Sequence, residues 1–247
     1  MNIREEIVEL IKKCLLESDN REVFRDPIIG FSSARDPLYA ELQDIVGPHH
    51  ILPENILEDA KTVVSFFLPF SEDIVLSNRN NEEVSCEWAK AYIIANSLIN
   101  DISENIIQYL SEKGIKAATI KATHNFDEET LKASWSHRSA AYISGIGKFG
   151  VNRMLITEKG CAGRYGTVII SHEIEADERL DKEYCTYYKT GGCLKCIEAC
   201  PVSALHIDSF DRFTCYDQLL KVSDKFKDIG LCDVCGKCIA HCPVAVI

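Results

Sequence analysis

The sequence predicts an α+β protein in two parts, an α/β domain over residues 1–180 and a small cysteine-rich domain over 181–247. Three observations carry this. Of the 247 residues 12 are cysteine, and nine of these lie from Cys185 onward, with only Cys14, Cys86 and Cys161 before them. Over the front, helical apolar periodicity alternates with short β-branched and aromatic runs. Between the parts runs an acidic connector, Glu173–Glu183 (EIEADERLDKE), whose charge and lack of periodicity suit an exposed linker. A composition of 46% hydrophobic and 26% charged residues allows an ordinary globular core.

The elements follow in order. Ile3, Ile7, Leu10, Ile11, Cys14 and Leu15 recur at helical spacing until Ser18-Asp19-Asn20 breaks the pattern, so residues 2–17 open the chain as a helix. After a stretch punctuated by Pro27, Gly30, Pro37, Gly47, Pro48 and Pro53, the run Thr62–Leu68 reads as a buried strand ended by Pro69. Trp88, Tyr92, Ala95, Leu98, Ile99, Ile102, Ile106 and Leu110 then mark one long helix from about Cys86 to Lys113, with Gly114 as its stop. Ile115–Thr123 is the next expected strand. A second helix is expected beyond Asp127, carrying Leu131, Trp135, Arg138, Ala141 and Tyr142 into the glycine-rich turn Ser144–Gly150. Strands are expected at Arg153–Thr157 and Thr167–Ser171.

Dense cysteine means either a disulfide framework or a metal or cluster site. The charged, amphipathic amino terminus MNIREEIVELIKKCLLESDN lacks the uninterrupted apolar stretch and cleavage site of a secretion signal, which places the chain in a reducing, cytoplasmic setting. The longest apolar runs fall far short of the roughly 20 residues of a membrane span. The tail holds Cys193-x-x-Cys196-x-x-x-Cys200-Pro201 and Cys232-x-x-Cys235-x-x-Cys238-x-x-x-Cys242-Pro243, the second of which has bacterial ferredoxin spacing. In that pattern three thiolates grip one iron–sulfur cluster and the last, turned away by its proline, ligates the other. Two runs imply two [4Fe–4S] clusters. The expected pairing is Cys232, Cys235 and Cys238 with Cys200, and Cys193 and Cys196 with Cys242 and one upstream thiolate, for which Cys185 is the candidate. Seven residues separate Cys185 from Cys193, and Cys215 is a ninth thiol for eight places, so Cys185, Cys215 and Cys232 contest the last two. Zinc knuckles would not need the repeated Cys-x-x-x-Cys-Pro.

Two clusters in series carry single electrons, so the sequence points to a redox protein with an electron donor such as a ferredoxin or flavodoxin. The front domain then supplies an acceptor. A ferredoxin-type electron-transfer protein serving a partner enzyme is the alternative. Residues 185–247 balance seven Lys+Arg against seven Asp+Glu, leaving the net charge of −11 on the front, which argues against a large nucleic-acid footprint. The turn Ser144-Gly145-Ile146-Gly147-Lys148-Phe149-Gly150 closes a helix and enters a strand, the reverse of a dinucleotide fingerprint. It serves either to let backbone approach a flat ligand, with Lys148, Asn152 and Arg153 at the polar edge, or as a tight turn. His124 and His137 are candidate proton donors. Cys14 and Cys86 sit on apolar helix faces as small buried side chains, whereas Cys161, in a glycine-rich loop beside Arg164, is the one non-tail thiol placed to face a cofactor.

From about Ala60 to the end, the runs AAYISGIGKFGVNRMLIT, GRYGTVIIS, FDRFTCYDQLL and CDVCGKCIAHCP resemble the epoxyqueuosine reductase family, which shares its design with reductive dehalogenases. The resemblance implies a cobalamin-binding-like α/β domain followed by a ferredoxin-like two-cluster iron–sulfur domain, with cobalamin between them as the acceptor. It places Gly145, Gly147, Lys148, Phe149, Gly150 and Asn152 near the corrin with Arg164 and Gly166, and it makes Cys215 a cluster ligand at the expense of Cys232. The family's proton-donor aspartate falls on Leu131, so Asp127, His124 or His137 must serve instead. The helical repeats that grip tRNA are absent after Cys242, which points to a small-molecule or nucleoside-like substrate.

Overall fold

A computed structural model describes residues 2–121 and 126–247. Helix α1 (Ile3–Leu16) starts in a capping box, where the Asn2 side chain accepts from the Glu5 amide at 2.9 Å and the Glu5 carboxylate accepts from the Asn2 amide at 3.0 Å. Strand β1 (Ile28–Ser33), the short helices α2 (Leu38–Ile45) and α3 (Pro53–Ile56), and strand β2 (Thr62–Pro69) follow. Helix α4 (Glu72–Asn80) leads to α5 (Cys86–Glu112), whose first turn is capped by Ser85 accepting from the Trp88 amide at 3.1 Å. Gly114, at φ 73°, ends α5 as expected. Strand β3 (Ala117–Thr119), the hairpin β4 (Phe126–Asp127) and β5 (Lys132–Ala133), helix α6 (His137–Ile143), the hairpin β6 (Gly147–Phe149) and β7 (Leu155–Thr157), and strand β8 (Gly163–Ile170) complete the front. The tail adds α7 (Thr186–Thr190), α8 (Lys195–Glu198), α9 (Arg212–Lys225) and α10 (Lys237–Ala240).

The main sheet has the order β1-β2-β8-β3, and every pairing among the described residues is antiparallel. This corrects the α/β reading of the front. Periodicity identifies a strand but not its neighbour, and here β8 returns to lie between β2 and β3. All eight residues of β2 are buried because helices cover both faces. Val64, Phe66, Leu68, Val168 and Ile170 pack with α1 and α5, while Val63 and Ile169 pack with Tyr39, Trp135, Ala140 and Ile143 on the other side.

Other boundaries also shift. The strand expected at 115–123 is Ala117–Thr119, because the Ile115 amide instead closes α5 on Leu110 O at 3.0 Å. The helix expected from Asp127 begins only at His137. Asp127 accepts from the amide and hydroxyl of Thr130 at 2.7 Å each, making a turn that puts Leu131 at φ 52° and favours the β4–β5 hairpin. The last two expected strands are Leu155–Thr157 and Gly163–Ile170. The connector is largely exposed, yet it is fastened to β1: the Phe31 amide donates to the Asp177 carboxylate at 2.9 Å and the Asp177 amide to Phe31 O at 2.8 Å. One apolar core runs from Ile7 and Ile99 in the front to Leu205, Val222 and Ala245 in the tail.

Candidate functional site

The tail brings the cysteines into two groups. Cys185, Cys193, Cys196 and Cys242 line one small cavity, closed by Val151, Asn152, Ile156 and Pro243. The seven residues between Cys185 and Cys193 form α7, which Gly191 ends at φ 74°, so the long spacing is a helical excursion that returns the chain to the same cavity. In the second group Cys238 lies in the field of Cys235, Cys215 and Cys200. Cys215, on α9, in turn feels Cys235 and Cys200. Burial first, and then the neighbouring thiols, push Cys196 and Cys215 up to about 11 and Cys238 higher still. Thiols held neutral in this way ionise only where bound cations compensate their charge.

Cys232 belongs to neither group. It is fully buried against Ala89 and Tyr92 of α5, with Asp233 and Cys86 nearby. In the structure Cys215, rather than Cys232, stands with Cys235 and Cys238. Cys161 lies behind Cys242: hydrogen bonding from Cys161 lowers the Cys242 thiol to about 7, and Asn152 Nδ2 reaches Cys161 Sγ at 3.5 Å. Each Cys-x-x-x-Cys-Pro run gives its final cysteine to the other group, which is the exchange that ferredoxin spacing produces. Among the described residues no three His, Cys, Asp or Glu side chains close on a single-ion centre. Four thiols lining one cavity, as in the first group, suit a multi-iron cluster better than a single ion.

Beside the second group lies a cleft of about 290 Å³. Its walls are Phe70 beyond β2, Trp88 and Tyr92 of α5, Trp135, Met154, and Gly163–Tyr165 of β8, with Val234 and Ile239 from the tail. Val234 adjoins Cys235 and Ile239 adjoins Cys238, so the wall and the second thiol group share one stretch of chain. Two guanidiniums face this space. Arg164 lies 4.6 Å over the Tyr92 ring and donates to Asn96 Oδ1 at 3.1 Å, and Arg138 donates to Arg153 O at 2.8 Å. Among the described residues neither forms a carboxylate ion pair within 4 Å. The Tyr92 hydroxyl donates to Asp233 Oδ1 at 2.7 Å, and burial raises its pKa, so it keeps its proton.

Of the candidate acids, His124 lies outside the described residues. Asp127 is exposed and spends its carboxylate on the Thr130 turn. His137 lines the cleft, but its Nε2–H donates to Lys121 O at 3.2 Å and its Nδ1 accepts from the Thr167 hydroxyl at 2.8 Å, which itself accepts from Trp135 Nε1 at 2.9 Å. Burial lowers His137 from its ordinary 6.5 to about 4. The unfolded chain therefore binds a proton between those values that the folded chain refuses. Stability is expected to fall by about 2 kcal/mol between pH 7 and pH 5, and H137Q, measured by denaturant unfolding at both values, should flatten that slope.

The residues assigned to a corrin do not form a shelf. A Cβ on Gly145 would stand 2.4 Å from Glu178 O, on Gly147 2.4 Å from Ile156 O, on Gly150 2.6 Å from Ile156 Cδ1, and on Gly166 2.3 Å from the Phe66 ring. These glycines make room for the chain itself. Lys148 donates to Asp181 O at 2.7 Å, Phe149 packs on Tyr142, and Asn152 lines the first thiol cavity. Of the eight, Arg164 lines the cleft. The cleft volume sits at the low end of the roughly 300–1,000 Å³ typical of small-molecule pockets. Trp88, Tyr92, Trp135 and Arg138 are not legible as cleft residues in the sequence, because each also reads as part of a helix pattern.

No protein-family model and no curated protein matches the chain. Among solved structures it superposes on epoxyqueuosine reductase from Bacillus subtilis with a TM-score of 0.62, over 99% of this chain and 66% of that one, at 20% identity. The Streptococcus thermophilus enzyme gives 0.63 at the same coverage and identity. A catabolic reductive dehalogenase gives 0.63 over 89% of this chain and 30% of that one, at 14% identity. One dehalogenase structure is described as suggesting a mechanism for B12-dependent dehalogenation, and one epoxyqueuosine reductase structure holds a tRNA stem loop. At these identities the likeness is one of fold, and it reaches the same two groups of enzymes as the sequence resemblance. The chain spans just under two thirds of the epoxyqueuosine reductases' length, at 66%. Among the described residues no helix is long and apolar enough to cross a membrane.

Proposed function

We propose that the chain is an iron–sulfur reductase of a small, flat substrate with an anionic or strongly polar edge. Cys185, Cys193, Cys196 and Cys242 hold one [4Fe–4S] cluster, and Cys200, Cys215, Cys235 and Cys238 hold the other. A ferredoxin or flavodoxin delivers electrons singly to the clusters, which supply redox chemistry to the cleft. The observation that carries this reading is the shared wall: Val234 and Ile239, each next to a cysteine of the second group, line the cleft. The aromatic side chains stack the substrate and exclude water, while Arg138 and Arg164 hold its polar edge. Tyr92, kept protonated by burial and held by its hydrogen bond to Asp233, is a neutral aromatic wall of the cleft. A two-electron reduction draws two electrons, one at a time, from the donor through the clusters, and solvent supplies the protons that the reduced substrate takes up.

The test is calorimetric titration of anaerobically reconstituted protein with halogenated hydroxybenzoates and nucleoside monophosphates. One of these classes should bind, and Arg164→Met should weaken it at least about tenfold, the loss of a charge-assisted hydrogen bond. Stoichiometric uptake of hydroxocobalamin with a bound corrin spectrum would contradict the small-molecule reading of the cleft. Reduction of a partner protein without any cleft ligand would favour a pure electron carrier.

A further inference from the structure

Of the two tryptophans, one has its indole N–H satisfied and one does not. Trp135 donates to Thr167 at 2.9 Å. Trp88 is 2% exposed, and its Nε1 has no acceptor among the described residues. Native chains rarely bury an N–H without a partner. Its position indicates what the partner is. A Cβ on Gly236 would stand 2.4 Å from Trp88 Nε1 and 2.3 Å from Cζ2, so the nitrogen edge of the indole abuts the turn between Cys235 and Cys238. The opposite side of that turn is anchored: Asn78 Nδ2 donates to Cys235 O at 3.0 Å, and the buried Lys237 ammonium donates to Asn78 O at 2.7 Å and Asn81 O at 2.6 Å. The turn is thus fixed against the indole, with no side chain at Gly236 to intervene.

We infer that the Trp88 indole N–H donates a hydrogen bond to a sulfur of the cluster held by Cys200, Cys215, Cys235 and Cys238. This rests on reading those four thiols as a cluster site. Reduction adds one negative charge to a cluster, and an N–H donor at its sulfur stabilises that extra charge, so the bond raises the reduction potential. The cluster beside the cleft becomes the more readily reduced of the pair, which directs electrons from the Cys185 group toward the substrate. Trp88 acts as a positioning and tuning residue, not a catalytic one. Because it also lines the cleft, a bound substrate is the competing acceptor.

The experiment uses full-length protein reconstituted anaerobically with iron and sulfide, carrying ¹⁵N-tryptophan, without substrate. Pulsed EPR of the reduced protein should show one ¹⁵N coupled to a cluster, retained in W135F and lost in W88F. In an EPR-monitored redox titration, W88F should move one midpoint to a more negative potential and leave the other in place. Wild-type clusters without any ¹⁵N coupling, or W88F with full iron and both midpoints unmoved, would overturn the inference and leave the cluster assignment standing. Failure of the wild type to take up iron would overturn the cluster assignment itself. If W88F does not fold, the wild-type and W135F couplings decide the matter alone.

Discussion

Alanine at Cys238 is expected to strip about four of roughly eight iron atoms from the reconstituted protein, one cluster's worth. C215A should do the same, and C196A should empty the other site. C232A should retain the full count, because Cys232 is a buried small side chain packed on Ala89 and Tyr92 and stands outside both thiol groups. C232A should lose only about 1 kcal/mol of stability, an ordinary packing defect. C238A and C215A should in addition loosen the tail, since a segment of this size leans on its metal centres for folding energy. Iron analysis with absorption spectra separates these outcomes. Full iron in C215A and half in C232A would restore the pairing that spacing alone suggests.

The second large effect is expected at Gly236. Its φ of 68° disfavours any side chain, and the indole of Trp88 fills the place where a Cβ would stand. G236A therefore carries both a left-handed backbone penalty and an overpacking cost, together about 3 kcal/mol. Gly191 provides the control, with φ of 74° and nothing within 4 Å of its would-be Cβ. G191A should cost about 1 kcal/mol, the backbone part alone. Thermal unfolding of the two variants isolates the contact with Trp88, and G236A should also lose iron from the second site.

What the sequence disclosed follows from how local each signal is. The ferredoxin exchange is written in spacings of two and three residues with a following proline, so six of the eight thiols in the two groups were legible before any fold was known. Cys215 on α9 competes with Cys232, which packs against α5. Only their placement in space separates them, since spacing favours Cys232 and packing removes it. The long helix α5 and the buried strand β2 were legible because their apolar patterns are long and unbroken. The hairpin β4–β5 was mistaken for helix because Leu131, Trp135 and Arg138 fall at helical intervals, while Asp127 and Thr130 close a turn instead. The cleft was the least legible feature. Its walls come from Phe70 just after β2, α5, the approach to α6, β8 and the tail, and each segment reads as core until the end of β8 and the cysteine turns meet. The packing of the glycine turn at 144–150 was illegible for the opposite reason: its glycines answer contacts with Glu178 and Ile156 that no local pattern records.

The central claim is that eight thiols in two groups hold two four-iron clusters, the second of them against the cleft. Iron and acid-labile sulfide analysis of the anaerobically reconstituted wild-type chain, with EPR of the reduced protein, tests it most directly. About eight iron and eight sulfide per chain are expected, with a spectrum broadened by two interacting reduced clusters. Four iron, or zinc without sulfide, would contradict it.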